Sequence, residues 1–264
     1  MTLAIRNLTV GYGRKTVIQD LDADAVPGAL TAIVGPNGSG KSTLIKAISG
    51  DLTFDGHITL NGTDVATAQP WHLAGLRGVL PQASTLAFPF HAIEVVRIGL
   101  SAGPDADHEH RAEAALARVG LAGYANRYYQ ELSGGEQQRV QLARVLAQVW
   151  SPGTADGPRW LMLDEPVSNL DIAHQLQVMT IARNFARAGG GVVAVMHDLN
   201  LTALFADHVL VMAEGQLLAA GHPIDVMTDE VLSHAYGCHL RVNTAPPDAV
   251  PYILPHCAAP HAAE

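Results

Sequence analysis

An α/β fold with a buried parallel sheet is the class this sequence predicts, and three short runs predict it. Leu30-Thr31-Ala32-Ile33-Val34, Trp160-Leu161-Met162-Leu163 and Val192-Val193-Ala194-Val195-Met196 are predominantly apolar without alternation, the second run ending in the carboxylates Asp164-Glu165. Strands covered on both faces read this way, whereas a strand with one wet face alternates. The composition agrees: 264 residues can bury a sizeable core, and 48% hydrophobic with 25 glycines suits an α/β domain rather than a disordered segment.

The elements follow in order. Met1 to Arg6 is strand-like and lacks the pattern of a secretory signal. After Leu30 to Val34, Ser42 to Ser49 reads as a helix with Leu44, Ile45 and Ile48 on one face, closed by Gly50. Gly78-Val79-Leu80-Pro81 is strand-like. Past the breaker Gly103-Pro104 and the polar Asp105 to His108, Glu109 to Val119 carries Ala112, Ala115, Leu116 and Val119 at helical spacing. Ser133-Gly134-Gly135 precedes a helical Glu136 to Trp150. Ser151 to Pro158 is breaker-rich and expected to be a substitution-tolerant surface loop. The tail from Thr244, with Pro246, Pro247, Pro251, Pro255 and Pro260, is expected to be extended or irregular. Cys238-His239 and His256-Cys257 carry side chains that ligate metal or haem, but they match no usual zinc spacing, and an unstructured or surface-packed end is the reading favoured.

Between the first strand and the first helix lies Gly35-Pro36-Asn37-Gly38-Ser39-Gly40-Lys41-Ser42-Thr43, which fits GxxxxGK[ST]. In a strand, glycine loop, helix setting, backbone N–H groups wrap a phosphate and the helix presents its positive end to it. Lys41 can reach β- and γ-phosphates, and the Ser42 hydroxyl can ligate magnesium. Thr43 fits a phosphate contact and a first-turn helix hydroxyl equally. Asp164 and Glu165 end a buried strand, where ligand chemistry sits in parallel sheets: Asp164 to hold magnesium, Glu165 to orient and deprotonate the attacking water. His197 stands at the end of the third run, placed for a γ-phosphate contact, against the alternative of a structural histidine. Ser133-Gly134-Gly135 at a helix start forms a second anion cradle.

The residues resemble one family, the ATP-binding cassette ATPases. Its motifs occur in its order: the phosphate loop at Gly35 to Thr43, Gln82 as the Q-loop glutamine, LSGGE at Leu132 to Glu136, the Asp164-Glu165 pair, the D-loop at Ser168 to Asp171 and the switch histidine His197. Tyr12 in Gly11-Tyr12-Gly13 matches the aromatic that stacks on adenine. The resemblance implies a P-loop NTPase with a RecA-like core and antiparallel β subdomain (1–83 and 133–243), an inserted α-helical subdomain (84–132) and a Pro-rich tail (244–264). It implies ATP, with magnesium held by Ser42, Gln82 and Asp164. It also implies a head-to-tail homodimer in which Ser133, Gly134 and Gly135 of one copy face the γ-phosphate held by the other.

The resemblance further implies two membrane permease subunits, a periplasmic cargo-binding protein acting indirectly, and a peripheral place on the cytoplasmic face of the bacterial inner membrane. Leu80-Pro81-Gln82, Glu94-Val95-Val96 with Gly99, and Met196 to Leu201 look like the importers of haem, ferric siderophores and cobalamin. Leu86 to Phe90 and the insert before Trp160 look most like the haem-importing members. Phe88 and Phe90 fit either a groove for a permease helix or plain core. Val167 and Asn169 depart from the family's commoner residues without removing a catalytic group. A net charge of −9 argues against a nucleic-acid partner; a single cassette without a heptad run argues against a soluble member working on ribosomes or DNA.

Overall fold

The computed structural model describes residues 2–83, 86, 88–103, 108–246 and 250–255. The expectations at Pro104 to Asp107, Ala87, Pro247, His256, Cys257 and Pro260 lie outside them.

The chain opens with β1 (Leu3–Tyr12) and β2 (Lys15–Ala25), an antiparallel pair, then β3 (Leu30–Val34) and α1 (Lys41–Ile48). Next come β4 (Asp55–Leu60), β5 (Thr63–Asp64), α2 (Pro70–Leu76) and β6 (Arg77–Leu80). Three helices follow: α3 (Ala92–Ala102), α4 (His110–Arg118) and α5 (Gly134–Gln148). The short pair β7 (Gly153–Thr154) and β8 (Gly157–Pro158) leads into β9 (Trp160–Asp164), α6 (Ile172–Arg187) and β10 (Gly191–Val195). The chain then runs through α7 (Leu199–Phe205), β11 (His208–Ala213), β12 (Gln216–Gly221), α8 (Pro223–Val226) and α9 (Asp229–Tyr236).

The central sheet has the order β12-β11-β3-β10-β9-β6 and is parallel except for β12. A second sheet, β2-β1-β4-β5, is antiparallel. The runs without alternation are explained by what covers the central sheet. Side chains alternate in direction along a strand, yet both directions lead into hydrophobic packing. Leu161 and Leu163 of β9, with Val192 and Ala194 of β10, face the core that holds α3, α4, α5 and α6. Trp160, Met162, Val193 and Val195 face the core formed with α1 and the antiparallel sheet. The helix expected over Glu109 to Val119 forms as α4, with both end residues as its caps. Helices α3 and α4 pack on α5, and α5 packs on β6.

The expected surface loop before Trp160 is more ordered than its breakers suggest. Gly153 and Thr154 pair with Pro158 and Gly157 as a hairpin. Asn61 Nδ2 donates to the Pro158 carbonyl at 2.7 Å, and the buried Trp160 indole donates to Asn61 Oδ1 at 3.1 Å. Asn61 therefore ties this hairpin to the end of β4 through the backbone carbonyl of Pro158.

Candidate nucleotide site

The loop after β3 has the backbone its glycines permit. Gly35 has φ +149°, and a Cβ there would stand 2.1 Å from the Met212 carbonyl of β11, so no side chain fits. Gly38 and Gly40 are also at positive φ, and Gly40 caps α1. Pro36 is half-buried, while Asn37 and Gly38 face solvent. Lys41 reaches back across the loop, its Nζ donating to the Gly35 and Pro36 carbonyls at 2.9 and 2.8 Å. Burial pushes the Lys41 ammonium below its ordinary range, with Glu165 and Asp164 opposing the shift. The Ser39 hydroxyl is buried without a hydrogen-bond partner among the described residues. Thr43 is buried in the first turn of α1. Tyr12 is exposed at the tip of the β1–β2 hairpin, and Ile18 of β2 lies against Gly40.

Sheet order then brings the carboxylates alongside. Only β10 separates β9 from β3. Asp164, the last residue of β9, is buried and accepts a hydrogen bond from Ser42 Oγ at 3.1 Å. Burial raises its carboxyl above the usual range, and the Ser42 hydroxyl works against that. Hydroxyl and carboxylate oxygens side by side form the hard donor set that magnesium takes, so these residues fit the ion. Gln82 is exposed just past β6, and the register Leu80 to Leu163 puts it at the same end of the sheet.

Glu165 leaves the strand at φ +52°, a left-handed conformation that a non-glycine residue keeps only when its surroundings enforce it. Its Oε1 lies 2.6 Å from His197 Nε2. Its carbonyl accepts from Gln138 Nε2 at 3.0 Å and from Ser168 Oγ at 3.2 Å. His197 stands two residues past the end of β10, and the next residue, Asp198, caps α7 through the amides of Asn200 and Leu201. The histidine is thus held between a strand end and a helix cap.

The serine-glycine turn is a capping box. The Ser133 hydroxyl accepts from the Glu136 amide at 3.3 Å and donates to Glu136 Oε2 at 2.8 Å, and the Ser133 amide donates to the same oxygen at 2.8 Å. These bonds hold the Glu136 carboxyl below its ordinary range. Ser133 and Gly134 are exposed, and Gly135 lies against Leu170 and Asn169 of the D-loop.

One corner of the sheet therefore unites Lys41, Ser42, Asp164, Glu165 and His197. Among the described residues no hydrogen bond links Ser133, Gly134 or Gly135 to the phosphate loop of the same chain. Two neighbours of this corner were not legible in the pattern. Gln138 stands inside the quoted LSGGEQQR run, but only tertiary contact reveals its bond to Glu165. The buried Tyr236 phenol, 201 residues beyond Gly35, lies beside the Gly35 amide, and burial pushes it up. In the Leu86 to Phe90 segment, Phe88 is 69% exposed while Leu86 and Phe90 pack partly against the core. The plain-core reading therefore fits Phe90 in part and does not fit Phe88.

Comparison with known proteins agrees with this chemistry. The family model for the ABC transporter matches residues 18–168. The chain is 60% identical over 256 residues to the hemin import ATP-binding protein HmuV of Jannaschia sp. (strain CCS1), covering 97% of this chain and 95% of that protein. It is 60% identical over 258 residues to the protein of the same name in Roseobacter denitrificans, covering 98% and 99%. Among solved structures, the ATP-binding subunit of an ABC transporter superposes with TM-score 0.75 at 23% identity, covering 86% of this chain and 92% of that one, a likeness of fold. A bacterial Atm1-family ABC exporter with ATP bound superposes with TM-score 0.73 at 27% identity, covering 86% of this chain and 39% of that one. With its sheet, phosphate loop and signature turn assembled in this way, the chain belongs to the ABC transporter family and is one of its ATP-hydrolysing cassettes.

Proposed function

We propose that the chain drives haem import, working as a head-to-tail homodimer beneath two permease subunits on the cytoplasmic face of the inner membrane, with a periplasmic binding protein delivering the cargo. The cargo reading rests on the 60% identity, over nearly full length, to proteins named for hemin import. No helix among the described residues is long and apolar enough to cross a membrane, which fits a separate permease. Phe88, exposed beside the half-buried Phe90, supports a groove there for a permease helix.

The hydrolytic reading rests on one observation above the rest: Glu165 Oε1 lies 2.6 Å from His197 Nε2, at the same sheet end as Lys41 and Asp164. Glu165 takes the proton from the attacking water, and His197 holds that carboxylate and contacts the γ-phosphate. Lys41 offsets charge on the β- and γ-phosphates, while Gly35 to Thr43 wrap them with backbone amides. Tyr12 stacks on the adenine. Magnesium, when bound to Ser42 and Asp164 with Gln82 nearby, would neutralise phosphate charge. Ser133, Gly134 and Gly135 of the second copy close over the γ-phosphate. ATP contributes that binding only in the closed dimer, so it shifts the equilibrium to closure and hydrolysis reverses the shift. The core subdomains span 1–83 and 133–243, with the helical subdomain at 84–132 and the tail at 244–264.

Replacing Glu165→Gln should lower hydrolysis by about 10²- to 10⁴-fold while ATP-dependent dimers accumulate. A rate equal to that of the parent removes Glu165 as the base. For the cargo, the chain reconstituted with its genomic-neighbour permease should show haem-stimulated ATPase activity. Stimulation by a ferric siderophore or by cobalamin, and not by haem, would reassign the importer.

A further inference from the structure

Gln138 has a position that nothing in the hydrolytic chemistry above assigns. It sits on α5, two residues beyond Glu136, whose carboxylate closes the capping box around Ser133. Its amide nitrogen donates to the Glu165 carbonyl at 3.0 Å, across 27 residues of sequence. Its amide oxygen is buried without a hydrogen-bond partner among the described residues. An acceptor left without a protein partner offsets part of what the donated bond contributes, so the glutamine adds little net stability here.

What the amide does is hold a strained residue. Glu165 sits at φ +52°, and conformations of this kind cost roughly 1–3 kcal/mol unless neighbours over-determine them. Among the described residues, two side chains bond the Glu165 carbonyl. Ser168 bonds the same carbonyl from within the turn itself, so Gln138 is the side chain that reaches it from another element. With β9 fixed, φ of Glu165 turns its Cβ and its carbonyl carbon together, so a displacement of the carbonyl taken up in φ swings the carboxylate away from His197.

We propose that Gln138 is a positioning residue that ties the pose of Glu165 to the state of the signature turn in the same chain. The inference rests on the head-to-tail reading given above. In that dimer the turn at Ser133 to Gly135 meets the nucleotide held by the other copy. Gln138 lies about one helical turn further along α5. A rigid-body adjustment of the α5 start on closure therefore moves the Gln138 amide and, with it, the Glu165 carbonyl. Each hydrolytic centre is thereby set by the nucleotide at the opposite one, through a link distinct from the Gly135 contact with Asn169 and Leu170.

The test is Gln138→Met in the full chain, which keeps length and volume, deletes the donor and removes the orphan acceptor. Expected are a kcat about tenfold lower with KM for ATP within about twofold, and a Hill coefficient in ATP reduced toward 1. The melting temperature should be equal to or above that of the parent, because the unsatisfied oxygen is gone. In the Glu165→Gln background, Gln138→Met should leave ATP-dependent dimers intact. A parent-like kcat overturns the proposal, and so does a kcat loss that tracks a lowered melting temperature with an unchanged Hill coefficient. Failure of the underlying reading shows separately: the Glu165→Gln chain would hydrolyse ATP normally or stay monomeric with ATP, whatever residue 138 is.

Discussion

Gly99→Ala gives the sharpest test of how the helical region carries the signature turn. Gly99 is buried on α3, and a Cβ there would stand 2.0 Å from the Arg144 carbonyl oxygen of α5 and 2.8 Å from its carbonyl carbon. Ordinary van der Waals contact begins at 3.4 Å, so the two helices would have to part by about 1.4 Å, a gap that forfeits much of the dispersion along their seam. Overpacking of this kind costs typically ~1–3 kcal/mol. Alanine returns up to ~1 kcal/mol through its better helix propensity. Because the clash is with backbone, the upper part of the overpacking range, ~2–3 kcal/mol, applies, and the net expectation is a loss of ~1–2 kcal/mol, a fall in melting temperature of ~2–8 °C for a chain of this size. Arg144 also bonds the Val79 carbonyl of β6 at 3.1 Å, so parting α3 from α5 strains the attachment of α5 to the sheet. Thermal unfolding followed by circular dichroism measures the shift. An unchanged or raised melting temperature would mean that the helices do not approach as closely as described, and the argument that Gly99 sets their separation would fail.

Phe88→Asp, on an exposed ring outside the catalytic corner, should abolish cargo-stimulated transport in reconstituted vesicles while leaving basal ATP hydrolysis within about twofold. Normal transport by that variant would end the groove reading. Burial pushes the His208 imidazole below its ordinary 6.5, so the unfolded chain binds the proton more readily than the folded one. The stability His208 contributes is therefore fully present above about 6.5 and is lost as pH falls through the lowered folded value. Melting curves at pH 7.5 and 5.5 should show a smaller acid-side drop for His208→Asn than for the parent, and an equal drop would assign the acid sensitivity elsewhere.

How much was legible from the chain depended on the range of the cause. The strand at Leu30 to Val34 and the helix after it were readable because apolar runs, a phosphate loop and a closing glycine act within a few residues. Asp164 and Glu165 were readable as strand-end carboxylates for the same reason. The hairpin before Trp160 was not, because Asn61 holds it from the turn after β4 while the local breakers argue for a loose loop. The split between exposed Phe88 and half-buried Phe90 could not be read either, since residues two apart in an irregular segment carry no periodicity.

The sequence by itself determined that nucleotide chemistry takes place and which residue types perform it: a lysine on a glycine loop, paired carboxylates, a histidine and a capped glycine turn. Tertiary structure alone decided that β10 sets Asp164 beside Ser42, that His197 meets Glu165, that Gln138 grips the Glu165 carbonyl and that Gly99 leaves room for α5. The reason is physical. Motifs specify the conformation of their own few residues, whereas strand order and helix separation come from burying two faces of one sheet at once, and no local stretch contains that information.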